Sequence, residues 1–149
     1  MTLKLDVVTI EREVYSADDV DMVIAPGVEG VMGILPRHEP IVTILRPGSL
    51  EIIRGEDREL FAIGGGFMEV RGSQVVVMAD RAEQADEIDL SRAEAAREAA
   101  RKRLEEAPDR VDMEAALAAL RRAEVRIRVA RQRTSRRRPT PTGQPTDNS

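Results

Sequence analysis

Short apolar runs separated by turn residues fill the first half of the chain. Near Glu87 they give way to alanine, arginine and glutamate at helical spacing. Leu3, Leu5 and Val7 alternate with Lys4, Asp6 and Val8, the period of a strand with one buried face. Val20, Met22 and Ile24 alternate in the same way with Asp19, Asp21, Val23 and Ala25, before Pro26-Gly27 and Glu29-Gly30 punctuate the chain. Further strands are predicted over residues 41–45, 49–54, 60–63, 67–71 and 74–79. Pro47-Gly48, Gly55–Asp57, Gly64–Gly66 and Gly72-Ser73 separate them as turn signals. Many short strands with no helical pattern between them predict an antiparallel β-sandwich or flattened barrel. The lack of strand–helix–strand alternation argues against a doubly wound nucleotide fold.

The second half predicts two helices. Asp89 is a good N-cap for a helix starting at Leu90, because its carboxylate can accept the orphan N–H groups of the first turn. That helix is expected to reach about Glu106, with an apolar stripe of Leu90, Ala93, Ala96 or Arg97, Ala100 and Leu104. Residues 107–110, with Pro108, break the pattern. Asp112 is the expected cap of a second helix running from Met113 to about Arg133, with a stripe of Ala116 or Leu117, Leu120, Ala123, Ile127 and Ala130. Alanine at the seam lets two antiparallel helices pack closely, at about 8 Å between axes. Few large side chains line that seam, and each buried aliphatic contributes only about 1.5–3 kcal/mol. The hairpin is therefore expected to depend on docking, a ligand or a partner. The organisation predicted is α+β: a β-module over residues 1–86, a helical hairpin over 87–133 and a tail over 134–149. The tail carries Arg136-Arg137-Arg138 and then three prolines, a disorder composition.

Charge sharpens the division. The net charge is −4, but residues 1–86 carry sixteen acidic and eight basic side chains, whereas 87–133 carry ten acidic and twelve basic. An acidic module joined to a weakly basic arm can attract itself, or the arm can seek an acidic partner. No cysteine is present, which removes disulfide and thiolate chemistry. No signal peptide is expected from the opening residues. No run approaches the ~20 apolar residues needed to span a bilayer, so direct membrane insertion is not expected.

The candidate chemistry is sparse. Gly64-Gly65-Gly66 lacks a following Lys-Ser or Lys-Thr and does not open a helix, so it reads as a glycine corner, not a phosphate loop. His38 beside Glu39 lacks metal-ligand neighbours, a nucleophile and oxyanion donors, so a structural or interface role is expected. No catalytic or metal-binding residues are predicted.

Three segments, GILPRHEPIVTILRPG, FAIGGGFMEVRGSQVVVMAD and EIDLSRAEAAREAARKRLEEA, stand in this order. Together they resemble the epsilon subunit of bacterial F-type ATP synthases, over roughly residues 3–133. The resemblance implies a ten-stranded sandwich followed by a helical hairpin, in a non-catalytic subunit of the central stalk at the cytoplasmic face of the cell membrane. Its implied partners are the gamma subunit, the proton-carrying membrane c-ring, and the alpha and beta subunits. The hairpin is implied to extend along gamma and inhibit ATP hydrolysis. No cofactor is implied as required, with ATP as a regulatory ligand.

The resemblance also carries over particular residues. Glu29, Arg37 and His38 are implied at the end facing the ring. Arg37 stands where the family motif commonly has glycine, which implies a departure in the local turn. Ile88-Asp89-Leu90-Ser91-Arg92-Ala93 matches the nucleotide motif I-D-x-x-R-A, and Glu83 and Arg126 match the further ligands. Arg92 and Arg126 would meet phosphates through charge-assisted hydrogen bonds. Asp89 or Glu83 would accept from the adenine amino group or the ribose, and Ile88 would pack on the base. Arg121, Arg122 and Arg126 are implied to face an acidic segment of the beta subunit when the hairpin extends. The alternative is a stand-alone module using its basic arm on nucleic acid, which would want stacking aromatics; these make up only 2% of the chain.

Overall fold

The computed structural model describes residues 1–136, with side chains described through Arg133. Eight strands come first: β1 (Leu3–Val8), β2 (Glu13–Val20), β3 (Met22–Gly27), β4 (Gly30–Ile34), β5 (His38–Arg54), β6 (Asp57–Gly72), β7 (Gln74–Ala79) and β8 (Ala82–Gln84). A 3-10 turn over Ala85–Glu87 leads into helices α1 (Leu90–Glu106) and α2 (Arg110–Arg136). Most of the predicted tail lies outside the described residues.

The long strands β5 and β6 organise the sandwich. They pair antiparallel from Ile41↔Val70 to Arg54↔Asp57, with Pro47 opposite Gly64 in mid-ladder. The sequence places turns at both positions. Both strands instead run on through a shared corner, because glycine allows the bend without leaving the ladder. Gly65 and Gly66 have φ of +104° and +135°. A Cβ on Gly66 would collide with the carbonyl of Met78. Facing the corner, Gly64 N–H donates to Arg81 O and Asp80 N–H donates to Gly65 O, both at 2.9 Å. These bonds stitch the short break between β7 and β8.

The sheet order is β2-β1-β7-β6-β5-β3-β4, with β8 pairing β6. The far half of β6 pairs with β7 and the near half with β8, so the corner folds the sheet into two layers. Counting β5 and β6 once in each layer turns the eight strands into the expected ten-stranded sandwich. Leu3, Leu5 and Val7 are fully buried between the layers, with Leu50, Ile52, Phe61, Met68, Val75 and Val77. Phe61 meets Tyr15 edge-on at 5.6 Å.

Four local expectations change. The β1–β7 pair is parallel; no hairpin joins these strands, so closure of the layer and not a turn sets their direction. Strand β2 was not predicted. It lies at the edge of the sheet, which tolerates its exposed Asp18 and Asp19. Val20, Met22 and Ile24 do not share a buried face. The chain breaks phase at Asp21, whose N–H donates to Ile53 O and whose carboxylate accepts from Gly55 N–H at 2.6 Å. Val23 and Ala25 face the core instead. Finally, α2 starts at Arg110, capped by Asp109, whose carboxylate accepts from Asp112 N–H at 2.8 Å. Asp89 caps α1 as expected, accepting from Arg92 N–H at 3.2 Å.

Gly66→Ala should destabilise the chain by about 2 kcal/mol or more, since both the φ value and the Met78 carbonyl oppose a side chain. Chemical denaturation of the two proteins measures this directly.

Candidate functional site

The hairpin lies docked on the sandwich. Ala93 and Ala100 of α1 are buried, as are Ala116, Ala123, Ile127 and Ala130 of α2, which gives the alanine seam the sequence predicts. A second face of α2 was not predicted. Val125 and Val129 pack with Leu60 and Ala62 of β6, and with Ala85 and Ile88 of the connecting segment. Val125, Ile127 and Val129 stand at period two, a spacing that does not advertise a helix face.

One ion pair ties this docked arm to the sheet. Arg126 Nε donates to Glu83 Oε2 at 2.7 Å, and Nη2 donates to Oε1 at 3.1 Å. The fork is bidentate, with both side chains 31% exposed. Two more pairs clamp the end of α2: Arg131 to Glu94 at 3.1 Å and Arg133 to Asp86 at 3.5 Å.

Beside the Glu83–Arg126 pair opens a cleft of about 670 Å³ between the hairpin and the sheet corner. Ala96, Ala100 and Ala123 form its helical wall, and Arg122 joins Glu83 and Arg126 along it. The other predicted nucleotide residues sit elsewhere. Ile88 is buried in the docking seam, 9% exposed. Asp89 is engaged as the helix cap. Arg92 is exposed in the first turn of α1, and among the described residues its guanidinium makes no ion pair. Glu83 and Arg126 are thus brought together, while Ile88, Asp89 and Arg92 flank the start of the hairpin.

A second polar cluster lies at the β5–β6 turn. Arg54 binds Asp19 at 2.8 Å and approaches Glu59 at 3.9 Å. Burial pushes the Glu59 carboxyl above the usual carboxylate range. Arg54 opposes that rise, while Asp86 and Asp57 add to it.

Comparison with known proteins settles the family. Residues 2–85 match the model of the ATP synthase delta/epsilon chain β-sandwich domain, and residues 86–131 match that of its long α-helix domain. The ATP synthase epsilon chain of Herpetosiphon aurantiacus is 49% identical over 91% of this chain and 99% of its own length. That of Chloroflexus aggregans is 50% identical over 93% and 99%.

The chain belongs to the ATP synthase epsilon-chain family.

Among solved structures, a chain of the Euglena gracilis mitochondrial ATP synthase (OSCP/F1/c-ring) superposes with a TM-score of 0.76 at 26% identity, covering 90% of this chain and 81% of that one. A chain of the Tetrahymena thermophila mitochondrial ATP synthase central stalk and c-ring shares the fold, with a TM-score of 0.58 at 16% identity over 90% and 97%.

Within this epsilon-family fold, the interface candidates occupy two places. Glu29 is exposed in the tight turn between β3 and β4, where Val28 N–H bonds Ile44 O. His38 opens β5 beside Gly72, roughly 20 Å back along the strand from Ile44. Its Nδ1 lies 2.8 Å from Glu39 O; a carbonyl only accepts, so Nδ1 carries the proton. Arg37 takes φ +63°, and its N–H donates to Ser73 Oγ at 3.2 Å. Arginine adopts the left-handed conformation that glycine takes at no cost, a strain of about 1–2 kcal/mol. Arg121 is exposed on α2. The sequence reading missed an apolar patch near Glu29: Val28, Val31, Val42, Ile44 and Phe67 are 41–71% exposed. Its signal was the run Ile41 to Leu45, interrupted only by Thr43, which leaves apolar groups on both faces of one strand.

Glu83→Gln should remove the charge that holds Arg126. We expect a loss of about 1 kcal/mol at this partly exposed pair, and faster amide exchange in α2 than in the sandwich. Glu59→Gln should act in the opposite sense at neutral pH. A raised carboxyl pKa means that ionisation opposes the fold, so the stability it contributes is present at acid pH and is lost as pH rises through the raised value. The variant should therefore be more stable than the parent at pH 7. The difference should close only as pH falls well below the ordinary glutamate value of about 4.3, where both states are protonated; denaturant midpoints across pH check this.

Proposed function

We propose that this chain is a non-catalytic rotor subunit of the central stalk, coupling gamma to the membrane ring at the cytoplasmic face of the cell membrane. Its hairpin is an ATP-sensitive arm that inhibits hydrolysis when it extends. The observation that carries this reading is the Glu83–Arg126 fork, which joins the last strand of the sandwich to the second helix of the arm. The same Arg126 is a phosphate candidate and a candidate contact to the beta subunit. While Glu83 holds it, it is withheld from a partner. Releasing the arm frees Arg126 and uncovers Val125 and Val129, an apolar face that suits gamma.

The apolar patch around Ile44, beside Glu29, supplies a separate surface for a stalk or ring partner. The relatives named above are ATP synthase chains, which supports the assembly. The nucleic-acid alternative finds no matching support. Three basic side chains of α2 it would need, Arg126, Arg131 and Arg133, are already paired with carboxylates.

Calorimetric titration of the full chain with ATP should show saturable heat. Arg92→Ala and Arg126→Ala should each weaken binding by about tenfold, the loss of one charge-assisted contact. No heat at millimolar ATP in the parent chain would overturn the nucleotide part of this reading. In a reconstituted catalytic head, neutralising Arg121, Arg122 and Arg126 together should relieve inhibition of ATP hydrolysis. Unchanged inhibition would exclude an electrostatic latch.

A further inference from the structure

The far end of α2 runs into an acidic cleft, and the most basic stretch of the sequence begins there. Arg126 meets Glu83, which pairs with Ala62 across the sheet. Val125 and Val129 pack with Leu60 and Ala62. Arg133, about two turns beyond Arg126, lines a cleft with Asp57 and Glu59. The helix therefore travels along β6 toward the β5–β6 turn. The cleft there has a volume of about 630 Å³ and opens between that turn and the 3-10 segment. Four carboxylates line it, Glu56, Asp57, Glu59 and Asp86, against Arg58 and Arg133. Both arginines are engaged: Arg58 binds Glu51 at 3.1 Å, and Arg133 reaches Asp86 at 3.5 Å. Glu56 and Asp57 are exposed, and among the described residues neither forms an ion pair. The excess negative charge is felt at Glu59. Burial raises its carboxyl, Arg54 opposes the rise, and Asp86 and Asp57 add to it.

The chain itself supplies the complement. Arg136 is the last residue of α2, three positions after Arg133, the spacing that returns to one helix face. Arg137 and Arg138 follow directly. Five residues of chain span at most roughly 18 Å, so all three arginines start within reach of the cleft that Arg133 already enters. Residues 134–149 hold no other basic side chain, and their one acidic residue, Asp147, lies nine positions past Arg138. Positive charge is thus concentrated at the point where the helix meets the four carboxylates. The family match ends at residue 131, so the shared fold does not account for this cluster.

We propose that Arg136, Arg137 and Arg138 dock in this cleft, against Glu56 and Asp57 of the β5–β6 turn, and clamp the end of α2 to the sandwich. The occupant is the chain's own segment beyond α2. The clamp extends the Arg133–Asp86 pair by one more turn of charge pairing. It acts at the end of α2 farthest from the turn between the helices, where the docked arm is otherwise held by exposed pairs. The contacts are charge-assisted and solvated, so salt weakens them. The clamp concerns the docked state seen in the structure and stands apart from the nucleotide reading above.

The chain has no cysteine, so Thr140→Cys gives a single site for a nitroxide label on the full chain. In NMR spectra at low salt, the label should broaden the amide signals of residues 55–59 and 85–87. The broadening should fade near 1 M salt, where the screening length shrinks to about 3 Å. It should also be lost in Glu56→Gln/Asp57→Asn. Reversing both sides, with Glu56→Lys/Asp57→Lys and Arg136→Glu/Arg137→Glu/Arg138→Glu, should restore it. Without the label, Arg136→Gln/Arg137→Gln/Arg138→Gln should speed amide exchange in the last described turns of α2 by about two- to fivefold, the factor that one or two exposed ion pairs are worth. Circular dichroism confirms that each variant is folded. No broadening at residues 55–59 in low salt overturns the proposal, as does broadening on another face of the sandwich. Broadening that arises only between a labelled copy and an isotope-enriched unlabelled copy also overturns it, since the occupant is then a second chain. Broadening indifferent to salt and to both neutralised variants overturns the charge pairing on which the clamp depends.

Discussion

One short stretch of strand, Leu60–Ile63, is sealed on both sides, and the arrangement of the two halves of the protein follows from it. Phe61 and Ile63 point into the sandwich core, while Leu60 and Ala62 face the helices. A strand alternates its side chains between faces, so four consecutive buried residues require a cover on each face. The far layer of the sandwich supplies one cover and α2 supplies the other. If α2 leaves, Leu60 and Ala62 meet water with Ile88, Val125 and Val129. Undocking therefore has a defined apolar cost, and the departing helix carries an equivalent apolar face to offer elsewhere.

That cost is moderate. The seam contains few large side chains, each contributing about 1.5–3 kcal/mol, and alanine supplies much of the rest. A partner surface of similar apolar area can replace it with little net change. The ion pairs are arranged to the same end. Glu83–Arg126, Glu94–Arg131 and Asp86–Arg133 are all at least partly exposed, so water compensates them when they open. A buried pair would have fixed the arm in place, because breaking it strands an uncompensated charge. Aliphatic contacts that are exchangeable, and charges that are solvated, make an arm that can be biased by a ligand or a partner.

Much of this was legible because periodicity and turn chemistry are local. The alternation Leu3-Leu5-Val7, the Asp89 cap and the alanine seam need only neighbouring residues to specify them, and each is found where the sequence puts it. The shift of period near Glu87 marks the passage from strands to helices for the same reason. The parallel β1–β7 pair, the continuous corner through Pro47 and Gly64, and the phase break at Asp21 are set by distant partners. Local signals there pointed to ordinary turns and a regular strand. The resemblance supplied Glu83 and Arg126 without their contact; the structure joins them as a fork. Arg12, Arg81 and Arg103 were invisible as a group, since only the fold gathers a turn, a strand break and a helix at one cleft.

The location of that cleft bears on control. It lies along the joint between the corner of the long strands and the alanine wall of the hairpin, so its walls belong to both the sandwich and the hairpin. A site wholly within either body would bind its ligand equally well with the arm docked or extended, and a ligand with equal affinity for two states shifts neither. A site divided across the joint exists only in the docked state. An anion that binds only there stabilises docking by an amount that grows with its free concentration relative to its Kd.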